Sequence, residues 1–442
     1  MLQTLSTRRG RRASLVIALA WDDVAGLGLG VLEGAPADGV VRRIHDDSRD
    51  ARPGDLFVAL NTGVRFVEEA QARGAATLVP DDQEAALAAL ASLVRDRSDA
   101  QVVAVVGSVG KTTTKDVLAA LCAAVTPTVA ADASRNNELG LPLTVLGLEP
   151  ETRVLVAEMG MRGLGQIAEL CAIARPTLAL VTWIGPEHLE LVGSVEDVAR
   201  ANAEAIEALP AGGVAVVPAN EPLLEPYLRD DVDVRQFDPA SAVRDGDAWR
   251  FVVGGREVRL VLPFAQRHLA GNALAALTAY DALGLPLDRA AEGAAAIRLS
   301  RWRGEVRDLP GGGLVVNDAY NANPLSMRAA LVDLSERGAG RRRVAILGEM
   351  AELGAESARY HAEIAELVRE LGIELVVAVG EPARAYLGET EKGLAVSDAA
   401  GVAEVLAELR PGDAILVKAS RAVGLEGIPV LIEKHFQAWH ES

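Results

Sequence analysis

Cysteine is almost missing from the chain: Cys122 and Cys171 are the only two in 442 residues. A four-cysteine zinc site and a disulfide framework are thereby excluded. Each cysteine lies in a pattern that reads as an apolar helix, so two buried free thiols are expected, as suits a reducing cytoplasm. Lysine is nearly as scarce, with only Lys111, Lys115, Lys392, Lys418 and Lys434 among 44 basic side chains. Aromatic residues make up 4% of the chain, which leaves Ala, Val, Leu and Gly to fill the cores. A basic excess is absent too. The net charge of −18 argues against nucleic acid as a partner, although a few local groups can still hold a small anion. No apolar run approaches the ~18 residues of a membrane span, so membrane insertion is not expected. The first 12 residues are basic and residues 15–21 apolar, but Asp22 and Asp23 follow at once. That run is too short for a secretory signal, and residues 1–20 are expected to form a disordered leader. Neither an internal repeat nor a low-complexity tract is evident.

What is present is enough apolar sequence for several cores: half the residues are hydrophobic and 24% charged, which excludes global disorder. The length suits about three domains. Residues 21–98 contain short apolar segments at 55–60 and 75–79, with helical patterns at 66–73 and 84–95, and form a small α/β unit. Residues 99–302 open on the β-branched run 101–106, followed by a helical pattern at 112–125. Further strands are expected at 154–157, 178–182 and 214–217, with helices at 165–174 and 195–208. Residues 251–262 read as a late hairpin turning at Gly254-Gly255. Residues 303–442 have strands at 314–317, 343–347, 375–379 and 414–417, with helices at 326–336, 360–371 and 399–409. Continuous apolar strands alternating with helices imply parallel sheets covered on both faces, hence an α/β class. The last unit is Rossmann-like in pattern but has no G-x-G-x-x-G fingerprint.

The sharpest local signal is Gly107-Ser-Val-Gly-Lys-Thr-Thr-Thr114, directly after a strand and opening a helix. Glycines let backbone N–H groups at Gly107, Ser108, Gly110 and Thr113 turn toward phosphate oxygens. Lys111 supplies a point charge for the β/γ-phosphates, and the Thr112 hydroxyl can hold Mg²⁺. The full phosphate-loop pattern has a further glycine where Val105 stands, so this loop is a short version. Alone, it indicates ATP or GTP, and no Asn-Lys-x-Asp segment is present to read guanine.

Together with this loop, six further segments in order resemble the Mur ligases, the ATP-dependent amide ligases of peptidoglycan synthesis. They are Asn136-Asn-Glu-Leu-Gly-Leu-Pro142, Glu158-Met-Gly160, His188-Leu-Glu190, Asp318-Ala-Tyr-Asn-Ala-Asn-Pro324, Gly348-Glu-Met-Ala-Glu-Leu-Gly354 and Lys418-Ala-Ser-Arg421. The resemblance covers residues 40–425. It implies an N-terminal acceptor-binding domain, a central ATP-binding domain and a C-terminal Rossmann-like domain. Two of the segments point to the branch that adds D-alanyl-D-alanine to UDP-N-acetylmuramoyl-tripeptide through an acyl phosphate.

The resemblance also implies the site. Lys111 and the loop amides would hold the phosphates, Thr112 and Glu158 a first Mg²⁺, and His188 a second. Asn272 matches an adenine contact, and Arg303 and Asp318 match residues that close over the γ-phosphate and ribose. Ser48 and Arg49, in Asp47-Ser-Arg49, match the UDP-sugar motif. Asn137, Asn321, Asn323 and Lys418 complete the substrate contacts. Each has a plainer reading: His188 a capping histidine, Asn272 a helix N-cap, Asn321 and Asn323 turn formers, Arg303 a surface charge. His361 reads as structural. Two departures stand out. Asn61-Thr-Gly-Val-Arg65 is short and lacks the branch's Asp-Gly-His triplet, and Asn202 occupies the place of a lysine that many members carbamylate with CO₂. A cytoplasmic, monomeric enzyme with small-molecule partners is the expectation. The alternatives are the same ligase chemistry on another carboxylate acceptor, or a non-catalytic nucleotide-binding partner in a wall-synthesis complex.

Overall fold

The computed structural model describes residues 16–131, 135–388 and 393–441. Most of the expected leader, residues 1–15, lies outside them. The part of that leader which is described is ordered by burial. Ile17 and Leu19 are buried, Leu19 pairs with Val41 in a short antiparallel ribbon, and the Ile17 N–H donates to Leu148 O at 2.9 Å. These apolar side chains have a partner surface that the local sequence does not reveal.

The first unit carries a four-stranded mixed sheet in the order Gly30–Glu33, Ala76–Pro80, Leu56–Val58, Ile44–His45. Only the first pair is antiparallel. The helix Gln83–Asp96 starts on an Asp82 N-cap that accepts from the Ala85 N–H, and it presents Leu87, Leu90, Ala91 and Val94 to the core. Residues 61–66 form a tight 3₁₀ coil instead of an open loop, leaving Val64 and Phe66 exposed.

The central sheet has six parallel strands in the order Asp233–Phe237, Val214–Pro218, Leu178–Val181, Gln101–Val106, Val154–Glu158, Thr128–Ala130. Its middle strands are almost wholly buried, because apolar layers cover both faces. One layer contains the helices Lys111–Ala123 and Arg267–Ala282; the second of these has no clear period in the sequence and was not expected. The hairpin turns at Gly254-Gly255 with φ of +55° and +75°, as a two-residue turn requires. Strand order reverses around Gln101–Val106, whose neighbours are Leu178–Val181 and Val154–Glu158. In such sheets ligands bind at the carboxyl ends of the strands beside this switch point.

The third sheet runs Glu305–Asp308, Leu314–Asn317, Ala414–Lys418, Arg343–Gly348, Leu375–Val379, Gly393–Val396, parallel except for the first pair. The helix expected at 399–409 is a 3₁₀ coil, Ala400–Glu408. Cys122 and Cys171 are buried free thiols, each pushed up to about 12 by burial. Among the described residues no helix is long and apolar enough to cross a membrane.

Candidate active site

Three adjacent strands of the central sheet end at one cleft of about 1420 Å³. Gln101–Val106 runs into the phosphate loop, Val154–Glu158 ends on the acid, and Leu178–Val181 leads to Trp183, Glu187 and His188. The loop is clamped from the third of these. Ser108 N–H donates to Trp183 O at 2.6 Å, Thr182 Oγ1 donates to Val109 O at 2.6 Å, and Gly185 N–H donates to Ser108 Oγ at 3.1 Å. Both loop glycines are required. Gly107 and Gly110 have φ of +125° and +86°, and a Cβ there would lie 2.2 Å from Thr182 Oγ1 and 2.4 Å from Asn272 Oδ1. Lys111 and Thr112 begin the helix Lys111–Ala123, so the helix N-terminus and a cation border the same space. The Gly107 and Ser108 N–H groups, expected to face phosphate, are instead spent on Asn202 Oδ1 and Trp183 O, which hold the loop in shape.

Asn202 belongs to this framework. It is 1% exposed, accepts from the Gly107 N–H at 2.6 Å and donates to Val198 O at 2.8 Å. Both ends of its amide are therefore committed to backbone.

The acids come next. Glu158 is buried, and its Oε1 accepts from Thr112 Oγ1 at 3.0 Å and from Asn136 Nδ2 at 2.8 Å. Its Oε2 is buried without a hydrogen-bond partner. An orphaned carboxylate oxygen beside a threonine hydroxyl suits a hard cation. Among the described residues no group of three His, Cys, Asp or Glu side chains forms a protein cage. That donor set fits Mg²⁺, which takes one or two carboxylates and completes its shell with water and phosphate oxygens. Glu187, which the sequence reading missed, is also buried. Its Oε2 lies 3.5 Å from Lys111 Nζ and 3.9 Å from His188 Nε2. Burial pushes its carboxyl up, against the pull of Lys111 and His188. Lys111 also donates to Gly107 O.

The C-terminal unit closes the cleft with Arg303, Asp318, Asn321, Asn323 and Lys418. Arg303 stacks over the Tyr320 ring at 3.9 Å, so it is no loose surface charge. Lys418 is buried, donating to Asp318 Oδ2 at 2.6 Å and to Asn321 O at 2.8 Å. It holds the Asp318–Asn321 corner as well as lining the cleft. Asn323 caps the helix Pro324–Arg337 in a capping box, and its Nδ2 reaches Ser108 O at 3.4 Å. Asn272 sits inside the helix Arg267–Ala282 and so is not an N-cap; its Oδ1 accepts from Trp183 Nε1 at 3.2 Å. Trp183 and Pro239 lie together beside Gly271, and they and His268 line the cleft. Burial holds His268 below its ordinary value.

Asn136 touches Glu158, and its neighbour Asn137 lines the exposed rim of the cleft, where it accepts from the Gly140 N–H at 2.9 Å. Ser48 donates to Glu69 at 3.1 Å, and the exposed Arg49 pairs with Asp47 at 2.8 Å. Neither Ser48 nor Arg49 lines the cleft, which the first unit borders through Glu84, Ala85 and Ala88.

The chain is similar to known proteins over most of its length. Residues 105–280 match the Mur ligase middle domain, and residues 302–421 match the Mur ligase, glutamate ligase domain. The UDP-N-acetylmuramoyl-tripeptide–D-alanyl-D-alanine ligase of Escherichia coli K12 is 33% identical, over 90% of this chain and 95% of that ligase. A MurF crystal structure from Acinetobacter baumannii superposes with a TM-score of 0.82 at 27% identity, covering 95% of this chain and 100% of that one. The MurF ligase from Thermotoga maritima, solved in complex with ADP, gives 0.77 at 27% identity, covering 90% and 99%.

Proposed function

The chain belongs to the Mur ligase family, and from that premise we propose that it joins D-alanyl-D-alanine to UDP-N-acetylmuramoyl-tripeptide with ATP, in peptidoglycan precursor synthesis. The observation that carries this reading is the convergence of phosphate loop, orphaned acid and C-terminal arginine on one cleft at the switch point.

The reaction brings two anions together. The acceptor carboxylate attacks the γ-phosphorus of ATP, giving an acyl phosphate and ADP. The dipeptide amine then attacks the acyl carbon, and phosphate leaves with one former carboxylate oxygen. Such a site needs cations and fixed dipoles more than a side-chain nucleophile. Lys111 neutralises charge on the transferred phosphoryl group while the loop amides fix its position. Glu158 and Thr112 are the residues that would hold a first Mg²⁺, and His188 a second. Bound Mg²⁺ supplies charge neutralisation between carboxylate and phosphate. Arg303 approaches from the C-terminal side, Asp318 is set by Lys418 toward the ribose, and Asn272 and Trp183 border the space for adenine. The enzyme works in the cytoplasm, as a monomer.

One observation favours a second reading, ligation to a different carboxylate acceptor. The coil at 61–66 is short, and Ser48 and Arg49 do not reach the cleft. A coupled assay of ADP release separates the two. With the tripeptide acceptor, release should require both acceptor and dipeptide. Release that ignores this acceptor but responds to another UDP-sugar peptide would favour the second reading.

A further inference from the structure

His188 and Glu352 are two of only six described non-glycine residues with positive φ, at 50° and 62°. They come from different units, and they meet. His188 follows the central strand Leu178–Val181, whereas Glu352 follows the third-sheet strand Arg343–Gly348. The Glu352 carboxylate contacts His188 Nδ1 through Oε2, and its Oε1 lies 3.6 Å from Arg162. The backbone joins as well: the Glu190 N–H donates to Glu352 O at 3.1 Å.

The segment that presents Glu352 is pinned on both sides. Met350 N–H donates to His361 Nε2 at 3.1 Å, and Ala351 N–H donates to Ser420 Oγ at 2.8 Å. Leu353 is buried next to it. Gly354, with φ +56°, lies so close to the His188 turn that a Cβ would sit 3.1 Å from Glu190 Cα. Left-handed backbone at a bulky residue persists only where its surroundings over-determine it, and here both partners of one contact are held that way.

The two ring nitrogens of His188 face different things. Nδ1 faces Glu352, whereas Nε2 points to the side of Glu187 and the cleft. A carboxylate can only accept, so it selects the tautomer with the proton on Nδ1 and leaves the Nε2 lone pair for a cation. We propose that Glu352 is a positioning residue. Supplied by the C-terminal unit, it fixes the tautomer and the ring orientation of the central unit's His188. It thereby couples the docking of the two units to a competent imidazole. The proposal rests on the reading of His188 as the group that faces the acceptor carboxylate and its cation.

The test uses the full chain labelled with ¹⁵N-histidine, metal-free, at a pH above the histidine range. His188 is assigned by its loss in His188→Gln. The wild type should show His188 protonated at Nδ1 and bare at Nε2. Glu352→Ala should lose that preference and lower kcat by about 10- to 100-fold, with the KM for ATP within about twofold, because the phosphate loop is untouched. Glu352→Gln should keep the tautomer and recover most of kcat, since its amide oxygen accepts the same proton. The proposal is overturned by an unchanged tautomer in Glu352→Ala, by an undiminished kcat in that variant, or by a Gln variant as poor as Ala. If the wild type forms no ligated product, the reading of the site fails instead. The tautomer of the free protein still decides the Glu352 contact.

Discussion

Single residues decide whether the cleft can handle phosphate. Lys111 lines the cleft at the start of the phosphate-loop helix, with its ammonium beside Glu187. Its compact charge is not reproduced by a planar guanidinium. Lys111→Ala and Lys111→Arg should both abolish ligation while the thermal unfolding midpoint stays within a few degrees of wild type. Near-normal turnover in either would remove the loop from the mechanism. Asn202 stands where the family resemblance leads one to expect a lysine. Its amide is spent on the Gly107 N–H and Val198 O, and it brings no negative charge. Activity should therefore not change when CO₂ and bicarbonate are removed. Asn202→Ala should cost about 1–3 kcal/mol of stability, the usual penalty for a buried N–H left unpaired, read by urea titration. Wild-type turnover that falls in degassed buffer and returns with bicarbonate would contradict the first statement. The loop was legible from its glycines between strand and helix, Glu158 and His188 from the family resemblance and their place after strands, and Arg303 from the resemblance alone. Glu187 and Glu352 were not, because each gains meaning only from what lies across the cleft.

Among the elements, strands with continuous β-branched runs and helices with caps were legible close to their observed bounds. The edge strands Thr128–Ala130 and Gly393–Val396 were not, being three and four residues long with no alternation. The coil Ala400–Glu408 departs from the expected helix for a local reason. Gly401 packs against Val396, its Cβ position 3.0 Å away, and Pro411 follows the coil closely. In the first unit's UDP-sugar motif, Arg49 pairs with Asp47 and Ser48 donates to Glu69 of the helix Val67–Ala72, contacts that the motif alone does not reveal. The corner that carries Glu352 depends on His361. Its Nε2 accepts the Met350 N–H while Nδ1 faces Ser357 O at 2.8 Å, so the folded ring is neutral. Burial holds its proton affinity below the ordinary 6.5. As pH falls through that value the unfolded chain takes up the proton first, so folding stability drops with falling pH in the window just beneath it. His268, lowered likewise, adds to the same slope. The urea midpoint should fall between about pH 7.5 and about pH 5.5, and His361→Gln should flatten part of that fall. Equal slopes in the two proteins would show that His361 carries none of it.

At the level of the whole molecule, the proposed site is divided between units. Lys111, Glu158 and His188 come from the central unit, whereas Arg303, Asp318 and the positioning residue Glu352 come from the C-terminal one. Contacts across the cleft include Asn323 to Ser108, Glu352 to His188, and Leu325 packed at Gly185. Ligands that bind both walls should favour the closed arrangement, as in other enzymes that sequester their reaction. Small-angle scattering should report a smaller radius of gyration with a non-hydrolysable ATP analogue plus acceptor than without ligands. An unchanged radius at saturation would count against closure. Three units and a shared cleft could be anticipated from ordered motifs, but which side chains touch across it depends on tertiary placement. The central claim is that this cleft activates a carboxylate by phosphorylation and passes it to an amine. The most direct measurement gives the protein ATP, D-alanyl-D-alanine and UDP-N-acetylmuramoyl-tripeptide carrying ¹⁸O in the reacting carboxylate, and then weighs the products. The account predicts the amide-linked pentapeptide product, ADP, and inorganic phosphate bearing one ¹⁸O for each amide formed. Phosphate without label, or ATP consumed with no joined peptide, would contradict it.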